Sequence, residues 1–558
     1  MKNFIQYSFI LTLLIFSRCS TQETIVNVVY EEPTFELNQP KLMVGITVDQ
    51  MRFDYLTKYW SDYSDQGFKK IISEGFFCKN HHFSYAPTYT GPGHASIYTG
   101  TTPTYHGIIG NNWYDKYDKT TKYCTGDNTV FSVGDTTMAG EMSPRNMISS
   151  TMTDELKLHS NLRSKTIGIS IKDRGAILPA GHLADAAYWF VGGNEGNFIS
   201  SSYYMDELPD WVKAFNSSSY KDSLMNSGWK LLNSAESYDE SIEDNNPYEA
   251  PFTGKLQPAF PYDFTQLADS NGGYSLIKGS PLGNTIVTEM ALNCIKNESL
   301  GTDEFTDFLA ISYSSTDYIG HRFAPAAIES QDCYLRLDLE IARLIENLNQ
   351  TVGDGNYTIF LTADHGAVHN PNYLKKLGMP AGYFKVDEVS SRIDSALKFT
   401  FGIEGCIESY SNNQIFFNDD ILLANNLDQE QVEKVAAEAA LLYEGVFSTV
   451  TRSQLTNSEF TNGLNHILQN GFSQKLSGDL LIVPRPGWMS YPTTGTSHGS
   501  PFTYDSHVPL IFYGSGVTKG FTDNRTHIKD IAPTVSALLG IQMPNACTGE
   551  PILEILGQ

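Results

Sequence analysis

Four short runs of apolar, largely β-branched residues end abruptly in polar ones: Leu42–Val48 before Asp49, Thr166–Ile171 before Lys172, Phe308–Ile311 before Ser312 and Thr358–Leu361 before Thr362. Continuous apolar runs of this length suit strands buried on both faces. Between them apolar residues recur at helical spacing, as in Leu337, Ile341, Leu344, Ile345 and Leu348 within Tyr334–Leu348. Strands alternating with helices predict an α/β fold whose chemistry lies beyond the carboxyl ends of the strands. Two stretches break the rhythm. Residues 200–275, rich in Ser, Asn, Asp, Pro and Tyr, read as a loop-rich insertion. Residues 376–490 hold a separate pattern, with a capping-box-like start at Asp428–Gln431 and a later strand at Leu480–Val483, and read as a cap subdomain. The core is then expected over 40–200, 276–375 and 491–558.

Residues 1–19 read as an export signal, with Lys2 as its positive end and Phe9–Phe16 as its apolar core. Cleavage before Cys19 would leave a cysteine to carry a lipid anchor. Ordinary cleavage downstream would free a periplasmic or secreted protein. No other apolar run is long enough to span a membrane, so the mature chain is expected to have no transmembrane segment. The chain has 558 residues and a formal charge of −25, which argues against binding a nucleic-acid polymer. Seven cysteines without a C-x-x-C pair argue against a thiolate zinc site. In an oxidising compartment Cys78–Cys124 is the shortest candidate disulfide loop.

Candidate chemistry gathers at the strand ends. Asp49 follows the first run, where an isolated aspartate would serve as a turn or cap. Asp317 and His321, four apart, stack on one face of a helical turn. Asp364 and His365 close YTIFLTADHG, and His498 lies in TGTSHGSP. Three aspartates and three histidines form a donor set suited to zinc, and their joint placement at strand ends points to a two-metal site. Metals about 3.5–4 Å apart clamp an in-line displacement, as in phosphoryl and sulfuryl transfer and some peptidases. The nucleophile candidate is Thr90 in APTYTGPGHASIYTG, directly before a glycine turn and a helix start whose dipole favours an anion. Thr88 and Thr99 are local competitors.

The motifs VDQMRFDYL, TYTGPGHASIYTG, GIIGNNWYDK, SIKDRGAILPAGH, SSTDYIGH, TADHG and TSHG resemble the alkaline phosphatase superfamily. Within it the chain resembles the phosphate-irrepressible, single-chain bacterial alkaline phosphatases with a threonine nucleophile, on a type I phosphodiesterase/nucleotide pyrophosphatase-like core. The likeness runs from about residue 40 to the C-terminus. It implies an α/β sandwich with a central, mostly parallel sheet flanked by helices, plus the inserted cap subdomain. It implies two Zn2+ per chain: one on Asp317, His321 and His498 at the leaving-group oxygen, the other on Asp49, Asp364 and His365 activating Thr90. Asn111 would donate its side-chain amide to a phosphoryl oxygen, with the adjacent Asn112 its competitor. Lys172 and Arg174 would meet the non-bridging oxygens. Two divalent ions balance three aspartates and a threonine alkoxide, so Lys172 and Arg174 match the two negative charges of a phosphate monoester. The expected enzyme is a zinc alkaline phosphatase of broad range, acting on small-molecule phosphate monoesters through phosphothreonine, with a monomer favoured. The rivals are a nucleotide pyrophosphatase or phosphodiesterase of the same superfamily and, more distantly, an exported metal- or phosphate-binding lipoprotein without turnover. A sulfatase lacks its Cys-x-Pro-x-Arg segment here.

Overall fold

The computed structural model describes residues 39–557. The expected export signal and Cys19 lie outside the described residues. A ten-stranded sheet organises the chain, ordered by residue range as 520–527, 76–82, 510–514, 357–362, 42–48, 307–313, 166–170, 186–191, 197–201 and 132–133. The five strands from Tyr357–Thr362 to Ala186–Val191 run parallel, and Leu510–Gly514 and Asn197–Ser201 pair antiparallel on either side of them. This is an α/β fold with a large central, mostly parallel sheet flanked by helices. Each of the four apolar runs forms a central strand, buried along its length, which is why none of them alternates.

The expected helix at Tyr334–Leu348 starts earlier, at Ile328, and ends at Leu348. The stretch 376–490 carries a four-stranded sheet of Ile407–Ser411, Gln414–Phe417, Leu480–Pro484 and Val446–Thr451. Helices Val386–Phe401 and Gln429–Leu441 cover it, with an apolar cluster of its own around Ile393, Ile415, Val432 and Leu480. The Asp428 carboxylate accepts from the Gln431 amide at 3.0 Å and fixes the second helix's start.

Residues 200–275 contain short helices, including Asp210–Ser217 and Tyr220–Ser227. Trp229, Phe252, Tyr262 and Phe264 enter the main apolar cluster, and the Trp229 indole donates to Asp332 Oδ2 at 2.7 Å. Isolated aromatic anchors bury this segment, so its hydrophobic periodicity is weak. The Cys78–Cys124 bridge does not form. Cys78 packs in the main cluster and Cys124 in a separate one with Ile108 and Trp113, and all six cysteines among the described residues are free thiols.

Candidate active site

The parallel register places the carboxyl ends of four neighbouring strands side by side. Thr47 lies level with Thr362 on one flank and Ser312 on the other, and Ser312 with Ser170. With strands about 4.8 Å apart, the residues that follow them converge. Asp49 follows the first strand, Asp364 and His365 follow Thr362, Asp317 and His321 lie on the helix Ser315–Phe323 after Tyr313, and Lys172 and Arg174 follow Ser170. His498 enters on the loop leading to Leu510–Gly514.

Two groups of side chains have their ligand atoms within 4.8 Å of one another: Asp317 with His321 and His498, and Asp49 with Asp317 and His365. The first is the trio expected from the sequence. The second differs, because Asp317 belongs to both and Asp364 stands beside it, with Oδ1 3.7 Å from His365 Nε2. The reason is Lys172. Its ammonium donates to Asp49 Oδ2 at 2.7 Å and to Asp317 Oδ2 at 2.6 Å, drawing these two carboxylates together.

The fit to metal ions rests on where the hydrogen bonds go. Nδ1 of His321, His365 and His498 is 2.8–2.9 Å from the carbonyls of Thr496, Gly366 and Thr88 respectively. Each Nδ1 must therefore carry a proton, which turns each Nε2 toward the cluster, the orientation that a metal-ligating histidine requires. Fully buried Asp49 Oδ1, Asp364 Oδ2 and His365 Nε2 have no hydrogen-bond partner. Burial and the Asp317 and Asp364 carboxylates push the Asp49 carboxyl up to about 8. Burial also opposes charge on Asp317, but His321 and Lys172 outweigh it and hold that carboxyl well below the usual range. Burial, then His365, hold His498 neutral. Three buried carboxylates, with imidazole Nε2 atoms turned toward them, make a donor set that cations fit.

Thr90 is the first residue of the helix Thr90–Thr99, and Tyr89 rather than Thr90 is its N-cap. Thr88 and Thr99 donate their hydroxyls to the Ser500 and Ala95 carbonyls. The helix lies flush against Asp364. A Cβ at Gly93 would stand 2.4 Å from the Asp364 carbonyl oxygen, and His94 bonds the Thr90 carbonyl at 2.9 Å while lying 3.3 Å from Asp364 Oδ2. Asn111 Oδ1 accepts from the Gly91 amide at 2.7 Å, which turns its NH2 outward as a donor beside Thr90. Asn112 is exposed.

Two residues escaped the sequence reading. Gln50, at φ +64°, donates its side-chain amide to Asp317 Oδ1 at 2.5 Å and its backbone N–H to Asp364 Oδ1 at 3.1 Å, so it ties both halves of the site. Its place directly after Asp49 was the only signal. Tyr123 accepts from Arg174 Nη1 at 3.0 Å and donates to Asp173 Oδ1 at 2.6 Å. Nothing in the sequence marks it.

The type I phosphodiesterase / nucleotide pyrophosphatase family model matches residues 43–507. The chain is 44% identical over 527 residues to a Myroides odoratus protein named calcium-transporting ATPase, covering 94% of this chain and 96% of that one. It is 41% identical over 530 residues to alkaline phosphatase PafA of Elizabethkingia meningoseptica, covering 94% and 96%. To alkaline phosphatase PhoV of Synechococcus elongatus it is 42% identical over 518 residues, covering 93% of each. The crystal structure of wild-type PafA superposes with a TM-score of 0.89 at 41% identity, covering 93% of this chain and 99% of that one. The chain belongs to the type I phosphodiesterase/nucleotide pyrophosphatase family.

Proposed function

We propose that the protein is a metal-dependent alkaline phosphatase that releases phosphate from monoesters through a phosphothreonine at Thr90, with two zinc ions held by Asp49, Asp317, His321, Asp364, His365 and His498. The observation that carries this reading is the convergence, beside the Thr90 helix, of three imidazole Nε2 atoms and of carboxylate oxygens without a hydrogen-bond partner. Two relatives carry alkaline phosphatase names. A solved PafA variant replaces one threonine, one asparagine, one lysine and one arginine, the residue types of Thr90, Asn111, Lys172 and Arg174.

Bound there, two divalent cations lower the pKa of the nucleophile's hydroxyl and neutralise charge on the departing oxygen. The protein supplies the rest by position. Thr90 Oγ, its proton lost to solvent, attacks phosphorus in line with the ester oxygen. The P–O bond to the alcohol breaks, and the alcohol regains a proton from water. A water molecule then attacks the phosphothreonine, phosphate leaves, and the Thr90 hydroxyl is restored. The helix N-terminus favours the anion. Asn111 Nδ2 donates to one phosphoryl oxygen. An ammonium has three donors, so Lys172 keeps one free for a second oxygen while two hold Asp49 and Asp317. Arg174, whose buried Nε has no partner, meets the same group. Both cations match a dianionic monoester better than a singly charged diester.

The name of the Myroides relative points to nucleoside triphosphate hydrolysis, whose phosphate release falls within this chemistry. No helix among the described residues is long and apolar enough to cross a membrane. The apolar run at residues 9–16 supports export. The test is acid-quench trapping with a phosphate monoester followed by peptide mapping, which should find phosphate on Thr90. Full turnover by Thr90→Ala would contradict the assignment.

A further inference from the structure

The hairpin Asn112–Asp115/Thr120–Tyr123 is a partly exposed two-stranded ribbon that, among the described residues, pairs with no other strand. A lone hairpin of this size is marginal in water, so its position must be set by what grips it. Its two ends meet, with Asn112 paired to Tyr123 and the Cys124 amide donating to the Asn111 carbonyl at 2.9 Å. One end therefore leads from Asn111. The other carries Tyr123, whose hydroxyl holds Arg174 and Asp173.

The grip comes from the 376–490 subdomain. Lys116, at the hairpin turn, donates to both oxygens of the fully buried Asp479, at 2.6 and 2.7 Å. The Tyr114 ring meets Phe416 edge-on at 5.4 Å. Asn412, in the left-handed tip between Ile407–Ser411 and Gln414–Phe417, donates its amide to the Asn112 carbonyl at 2.6 Å. On the core side, Asn146 holds the Tyr123 carbonyl at 3.1 Å.

We infer that this hairpin is a strap that fixes Asn111 and Arg174 relative to each other, that the 376–490 subdomain sets its register, and that Tyr123 and Asn412 are positioning residues for phosphoryl recognition. The inference rests on the reading above that Asn111 and Arg174 bind the phosphoryl group. It gives the inserted subdomain a part in binding the phosphoryl oxygens without touching substrate.

The test is a pair of double-mutant cycles on the metal-loaded enzyme, reading kcat/KM for p-nitrophenyl phosphate. Tyr123→Phe removes one hydroxyl from a charged partner and should lower kcat/KM about tenfold. In an Arg174→Ala background the same change should cost less than about twofold. Asn412→Gly keeps the left-handed tip and deletes only the amide. It should lower kcat/KM about threefold, an effect lost in an Asn111→Ala background. If Arg174→Ala itself leaves monoester hydrolysis unchanged, the underlying reading fails. If Arg174→Ala is damaging but Tyr123→Phe costs the same in both backgrounds, or nothing in either, the positioning inference is overturned and the reading stands.

Discussion

Gly93→Ala isolates the packing of the Thr90–Thr99 helix, on which the proposed nucleophile sits. The added Cβ would lie 2.4 Å from the Asp364 carbonyl oxygen, 2.7 Å from its Cβ and 2.9 Å from its Cα. All three contacts belong to Asp364, which follows the strand Tyr357–Thr362 and is held by the Gln50 amide, so no flexible side chain can swing aside. To reach 3.0 Å, below which real Cβ atoms are essentially never found, the helix must retreat from Asp364 by about 0.6 Å. Thr90 lies one turn away on the same helix and retreats with it. A displacement of about 1 Å at a reacting atom costs about a hundredfold in rate, so kcat/KM for a monoester should fall between about tenfold and a hundredfold. Overpacking should also lower stability by about 1–3 kcal/mol. The assay is steady-state hydrolysis of p-nitrophenyl phosphate, with bound metal and thermal midpoint measured on the same preparation. Activity within about twofold of wild type, at full metal content, would refute the claim that the Thr90–Asp364 separation governs turnover.

Gln50→Gly relaxes the positive φ and keeps the N–H bond to Asp364, but deletes the amide on Asp317. Metal affinity in chelator competition should weaken about 10–100-fold, and unchanged affinity would show that Gln50 is a bystander. His106 is buried, with its Nδ1 accepting from the Ile108 amide at 3.1 Å and Nε2 bonded to Ser96. Burial pushes the ring down to about 3 from the usual 6.5. The unfolded chain therefore binds a proton below 6.5 that the folded one refuses until about 3, so this ring's share of stability falls as pH drops through that window. Between pH 6.5 and pH 5 the loss is about 2 kcal/mol. Urea unfolding of His106→Gln should show a shallower decline than wild type, and identical slopes would contradict this.

The half of the site that rests on the sheet was legible because its residues follow strand ends, where an unbroken apolar run stops at Asp49, at Lys172 or, at Thr362, two residues short of Asp364. Asp317 and His321 showed themselves by helical spacing. The strap and its grip were not legible. Tyr123, Lys116 and Asn412 sit in polar, half-exposed stretches without periodicity, and their partners Arg174, Asp479 and Asn112 are brought to them only by tertiary folding. The 200–275 segment reads as loops and short elements because single aromatics such as Trp229 bury it without a repeating pattern. The sharing of Asp317 between both ligand groups depends on Lys172 lying between two carboxylates, which spacing along the chain cannot express. The candidate disulfide failed because loop length says nothing of where Cys78 and Cys124 point.

The central claim is a metal-dependent preference for monoesters. Its most direct test compares kcat/KM for p-nitrophenyl phosphate and bis-p-nitrophenyl phosphate on zinc-reconstituted protein lacking residues 1–19, before and after chelation. A large monoester preference, abolished by chelation and restored by zinc, is the predicted result. A diester preference, or activity that survives chelation, would contradict the account.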